Sequence, residues 1–178
     1  NRISALYMQT GQFPNALKTL RASLREEPGQ LVLYSRIGEV HLAMGQLDSA
    51  IASVDYARKL IPDNSAVHSA LAFLLLQAKQ LESAKAHLDT ALSLDKDNPE
   101  AHRLLGFYNA QNNSVEQAIY HYEKLAELVP GDVEGFNNIA FLHSQYQRYL
   151  PALEYYKKAH ERASDPYIGQ AISDNMEA

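Results

Sequence analysis

Histidine is the first residue to test for chemistry here, because the chain holds seven of them and no cysteine. A neutral imidazole can ligate a metal or carry a proton near neutral pH. A helical metal site needs two rings three or four residues apart on one face. No two histidines have that spacing, and no HExxH motif occurs. His68 and His102 are 34 residues apart, as are His87 and His121, so each pair reads as one position copied along the chain. His41 and His143 fall in a core-facing position and read as packing residues with satisfied nitrogens. The lack of cysteine removes thiolate catalysis, disulfides and cysteine-ligated zinc, and leaves the compartment open between cytoplasmic and periplasmic. The eight glycines mostly mark helix ends and form no phosphate-binding loop. Carboxylates are scattered, with no pair that the pattern brings into a pocket. No catalytic residue, metal or cofactor is expected. Lys18, Arg21 and Arg25 form a short basic stripe that reads as a solvated outer face, diluted by Glu26 and Glu27. Tyr120, Tyr122, Tyr155 and Tyr156 enrich the last third of the chain; Tyr122 and Tyr156 read as core, while Tyr120 and Tyr155 are candidates for an outer face.

The elements that must hold these residues come in copies. Residues 31–64 carry two apolar-periodic segments on either side of Gly45-Gln46, with Pro62 after the second. Apolar residues three and four apart predict two amphipathic helices, and glycine at the break suits a left-handed helix stop. One such hairpin cannot bury its own apolar face, so it requires neighbours. The neighbours are visible: Ala16, Ala50, Ala84, Ala118 and Ala152 recur at intervals of 34. Ile37, Leu71, Leu105 and Ile139 keep the same period, each followed by a small residue, Gly38, Ala72, Gly106 or Ala140. Pro28, Pro62 and Pro130 share one register. A period of this length predicts a stacked helical array.

These landmarks resemble the tetratricopeptide repeat. The bulky residue early in helix A is Tyr34, His68, His102 or Phe136, and the large–small pair follows. The helix B aromatic slot holds Leu20, Val54, Leu88, Tyr122 and Tyr156; the next small slot holds Ser23, Ala57, Ala91, Leu125 and Ala159, with Leu125 the departure. The resemblance spans nearly the whole chain. It implies an all-α, right-handed α-solenoid forming a single domain over 1–178. Its repeats would be 1–30 (partial), 31–64, 65–98, 99–132 and 133–166, followed by a terminal helix over 167–178 in which Ile168, Ile172 and Met176 make one stripe. That last segment reads equally as a cap or as the first helix of a sixth repeat. Ser114 and Gln117 form a capping-box pattern at the second helix of repeat four.

Composition bounds the rest. The 178 residues are 46% apolar and 21% charged, which is globular rather than disordered. A net charge of −5 argues against a nucleic-acid partner. The longest apolar run, Ala70 to Leu76, is far too short to span a bilayer, so no direct membrane insertion is expected. No signal peptide is visible and Asn1 falls inside a helical pattern, so a fragment or a processed chain is expected.

On a helical wheel, positions four, seven and eleven of helix A lie on one side, and two, five, nine, twelve and thirteen on the other. By the resemblance, the second set would line a concave binding groove. Position nine holds Phe73, Phe107 and Phe141; position thirteen holds Gln77, Gln111 and Gln145; position five includes Arg103 and Asn137. Phenylalanines offer apolar area, and glutamine amides can pair with a peptide backbone. The rings could equally fill space between adjacent A helices. Some members of the family clamp a C-terminal carboxylate with groove lysines; the corresponding slots here hold Ser35, Ser69, Arg103 and Asn137, and Val32, Ala66, Glu100 and Glu134, which argues against that clamp. The expected function is a non-catalytic scaffold for a protein or peptide partner. The alternatives are the recruiting or regulatory segment of a larger enzyme, and a structural subunit that self-assembles as a homo-oligomer.

Overall fold

The computed structural model describes residues 2–27 and 29–163. Among these, regular structure consists of ten α-helices and no strand. In chain order they are α1 (Arg2–Gln9), α2 (Phe13–Glu26), α3 (Leu31–Ala43), α4 (Leu47–Leu60), α5 (Ser65–Gln77), α6 (Leu81–Leu94), α7 (Pro99–Gln111), α8 (Val115–Leu128), α9 (Val133–Gln145) and α10 (Tyr149–Arg162). Odd-numbered helices are the A members of each hairpin and even-numbered ones the B members. The terminal helix expected over 167–178 lies outside the described residues.

One backbone device closes every A helix. The fifteenth residue of the repeat takes a left-handed conformation, with φ of 71° at Gly11, 72° at Gly45, 58° at Lys79, 57° at Asn113 and 58° at Gln147. The following N–H then reaches back over the helix end, as from Gln46 to the His41 carbonyl at 2.8 Å and from Gln80 to that of Leu75 at 2.9 Å. This bond satisfies a carbonyl that the helix would otherwise leave without a donor. Three A helices begin with a side-chain cap: Asn64 accepts from the Val67 amide at 3.0 Å, Asn98 from Ala101 at 2.9 Å, and Asp132 from Gly135 at 2.5 Å. The capping box expected at Ser114 is not formed. Ser114 is the N-cap of α8 but its side chain makes no cap bond, and its ψ of 67° departs from the extended geometry that a capping hydroxyl needs.

The helices fall into two compact units, α1–α6 within residues 1–96 and α7–α10 beyond residue 96. In the first, Ala16, Leu17 and Leu20 of α2 pack with Leu33, Ile37 and Val40 of α3. In the second, Val115, Ala118, Tyr122 and Leu125 of α8 pack with Ile139 and Leu142 of α9. Ala140 then joins Ala152, Tyr156 and Ala159 of α10. The five in-phase alanines share one environment: Ala16, Ala50, Ala84 and Ala118 are fully buried and Ala152 is 4% exposed. Leu125, in the slot where the other repeats carry small residues, is buried as well. Gly135 of α9 sits under its own helix cap: a Cβ there would stand 2.5 Å from Asp132 Oδ2 and 3.2 Å from the Tyr122 carbonyl, whereas the same register position holds Leu33, Val67 and Ala101 in earlier repeats.

Candidate functional site

In the second unit, α7 and α9 carry the expected outward residues in matching registers. Phe107 and Phe141 are 47% and 53% exposed, while Leu105 and Ile139, two positions earlier, are buried. These two rings therefore are not core. Gln111 and Gln145 are exposed, one turn further along. Phe73 of α5, in the first unit, is only partly exposed, and Gln77 is exposed.

Arg103 ties α7 to α9. Its guanidinium donates to both Glu100 oxygens, at 2.9 and 2.6 Å, and lies 3.6 Å from Glu134. The bond to Glu100 chiefly, with smaller help from Glu134, raises the Arg103 pKa against the opposing effect of burial. Its charge is already matched by two carboxylates. Asn137, at the same register position on α9, is half-buried, and its Oδ1 is buried without a hydrogen-bond donor. A buried acceptor left without a donor is uncommon and costly.

The helical wheel was right about positions two, nine and thirteen and too generous elsewhere. Ser69 at position five is 1% exposed and Leu76 at position twelve is 9% exposed. Both sit on α5, which packs against α3 as well as α6, so its side toward α3 is covered. Ser69 directs its hydroxyl to the Ser65 carbonyl at 3.2 Å.

The histidines form pairs that their spacing along one helix did not reveal. His68 and His87 bring their Nδ1 atoms within 3.0 Å across the α5–α6 hairpin, and His102 and His121 do the same at 3.0 Å across α7–α8. The signal was a separation of 19 residues, which joins facing positions of a hairpin rather than one helix face. His68 Nε2 lies 2.8 Å from the Pro62 carbonyl, which can only accept, so the proton is on Nε2 and His87 donates from Nδ1. Among the described residues no group of three or more His, Cys, Asp or Glu side chains is placed to hold a metal ion. His41 is buried and bonded to Gln46 at 2.8 Å. His143 differs from expectation: its Nδ1 is buried without a partner, and its ring stacks on Tyr155 at 5.7 Å. Burial first, then Arg148, lowers the His143 pKa.

Tyr122 is buried, with burial pushing its pKa up to about 12, and Tyr156 is buried too. Tyr120 is 52% exposed. Tyr155 is half-buried, and its hydroxyl donates to Glu123 at 2.6 Å. No helix of the described residues is long and apolar enough to cross a membrane.

Hairpins of near-constant length, one turn geometry and one alanine slot define a helical-repeat protein. Residues 12–136 match the family described as the cytochrome c-type biogenesis protein H TPR domain, and the chain belongs to that family of tetratricopeptide repeats. A search of curated proteins found no match. Solved structures are similar over most of their length. MamA from Desulfovibrio magneticus RS-1 is 22% identical, with a TM-score of 0.71, over 90% of this chain and 91% of that one. A thermophilic TPR protein of Thermus thermophilus is 18% identical, with a TM-score of 0.81, over 99% and 97%. YrrB, described as a TPR protein with an unusual peptide-binding site, is 19% identical, with a TM-score of 0.66, over 97% and 89%. These likenesses establish an all-α helical-repeat solenoid fold.

Proposed function

We propose that the chain binds a peptide segment of another protein along the outward faces of its A helices and performs no reaction itself. The observation that carries this reading is the pair Phe107 and Phe141, half in water at one register position of α7 and α9 while the residues two positions before them are buried. Large apolar rings held at a surface beside amides are what an incoming backbone and its side chains can use. Gln111 and Gln145 supply the amides, and Phe73 and Gln77 repeat the pattern on α5. The peptide-binding site in the description of YrrB, and a family named for the biogenesis of another protein, both support a polypeptide as the ligand.

The test is a pull-down with the intact chain against one carrying Phe73, Phe107 and Phe141 all as Ala. Central aromatic anchors each contribute more than ~2 kcal/mol to binding, so the bound partners should be lost from the triple variant. Recovery of the same proteins in the same amounts by both would sink the reading.

A further inference from the structure

We infer that the face of α7 and α9 selects an internal, positively charged apolar segment and does not read a free carboxyl terminus. This rests on the peptide-binding reading above and specifies its ligand. Three charged side chains lie at the relevant positions of the two helices: Glu100 and Arg103 on α7, and Glu134 on α9. Two carboxylates against one guanidinium leave the face with a net negative charge. The cation is also committed. Arg103 holds Glu100 through two bonds, the fork geometry that makes such pairs strong, and it lies 3.6 Å from Glu134. A ligand carboxylate would have to share Arg103 with Glu100, whose two bonds occupy one edge of the guanidinium, and would face the negative charge of both glutamates. A ligand Lys or Arg meets Glu134, whose side chain is 55% exposed and whose closest cation is at the long end of ion-pair range. Backbone N–H groups of the ligand meet the exposed amide oxygens of Gln111 and Gln145. Apolar ligand side chains cover Phe107 and Phe141. The chemistry chosen is thus Lys or Arg interleaved with bulky apolar residues, with no chain end required.

The test is selection from a display library whose random segment is flanked on both sides, so that no free terminus is offered. The baits are the wild type, Glu134→Gln, and Phe107→Ala/Phe141→Ala, with circular dichroism confirming an unchanged helix content. The wild type should enrich Lys and Arg beside Phe, Leu and Ile over the input. Selected peptides, synthesised with capped ends, should bind the Glu134→Gln protein up to about fivefold more weakly, the range of a single exposed ion pair. Added salt should weaken their binding to the wild type. Enrichment of acidic segments, or unchanged affinity for Glu134→Gln, would overturn the charge preference while leaving the peptide face standing. Enrichment that is the same with and without the two phenylalanines would remove the face itself.

Discussion

The Tyr122 ring lies directly over Gly106: a Cβ at residue 106 would stand 2.6 Å from the nearest ring carbon, with two more ring atoms within 2.8 Å. The bulky helix B slot thus takes its size from the small helix A slot opposite. Where Ala72 and Leu88 occupy these positions in repeat three, both are buried without a glycine. Gly106→Ala adds a methyl group that the ring cannot clear by a small rotation, because Tyr122 is itself 4% exposed. Overpacking of this kind costs ~1–3 kcal/mol, which outweighs the ~1 kcal/mol that alanine gains over glycine inside a helix. Urea unfolding should show net destabilisation, and adding Tyr122→Leu should recover part of it. At Gly38 the nearest atom, Val54 Cγ2, is 3.0 Å away, so the same substitution there should be much milder.

The fold was legible because its rules are periodic: alanines 34 apart and a large–small pair identify buried positions without coordinates. Positions nine and thirteen were legible for the same reason. The histidine pairs were not, because partners 19 residues apart join through a hairpin whose packing angle no single-helix periodicity encodes. The commitment of Arg103 was half legible. Glu100 is three residues away on the same helix, but Glu134 reaches it only through the stacking of α9 beside α7. Ser69 was misplaced because a wheel knows one helix, while α5 has covered sides toward both α3 and α6.

Lys79 and Gln147 hold the left-handed turn conformation that Gly11 and Gly45 adopt freely. A side-chain-bearing residue costs ~1–2 kcal/mol in that region, and an unfolded glycine gives back part of the difference through its greater freedom. Lys79→Gly should therefore raise the urea midpoint, with a net gain of ~1 kcal/mol or less. Gly45→Ala should lower stability by a similar amount. A loss on Lys79→Gly would show that the Lys79 side chain makes a compensating contact.

His87 makes the first unit acid-sensitive. Its pKa is held below the ordinary histidine value chiefly by burial, then by His68 of α5 and Arg58 of α4, while Asp55 of α4 opposes them. A histidine whose pKa is lowered by folding takes up its proton more readily in the unfolded chain. Its contribution is complete above the unfolded value of about 6.5 and is lost as pH falls toward the folded value. Asp55 acts in a lower window: bonded by Lys59 and Arg58, its carboxyl titrates below the ordinary range, and its contribution is lost only as pH falls through that lowered value. His143 shifts in the same direction as His87, so the second unit weakens in the same window. Urea midpoints should fall as pH drops below ~6.5, and His87→Gln should flatten part of that fall. An unchanged slope in the variant would remove His87 from the account.

Phe107 separates a binding role from a packing role by stability alone. Removing a fully buried phenylalanine costs ~3–5 kcal/mol, because transfer free energy and cavity formation add. At 47% exposure half the ring already meets water, and its loss opens no enclosed cavity. Phe107→Ala should cost ~1 kcal/mol, near the centre of the range for ordinary point mutants. Phe141→Ala, at 53% exposure, should cost no more. Phe73→Ala, on the more covered α5, should cost more than either. Thermal melts of the three single variants give this order directly. If Phe107→Ala reached the cost of a core deletion, the ring would be holding helices together, and its value to a ligand could no longer be separated from its value to the fold.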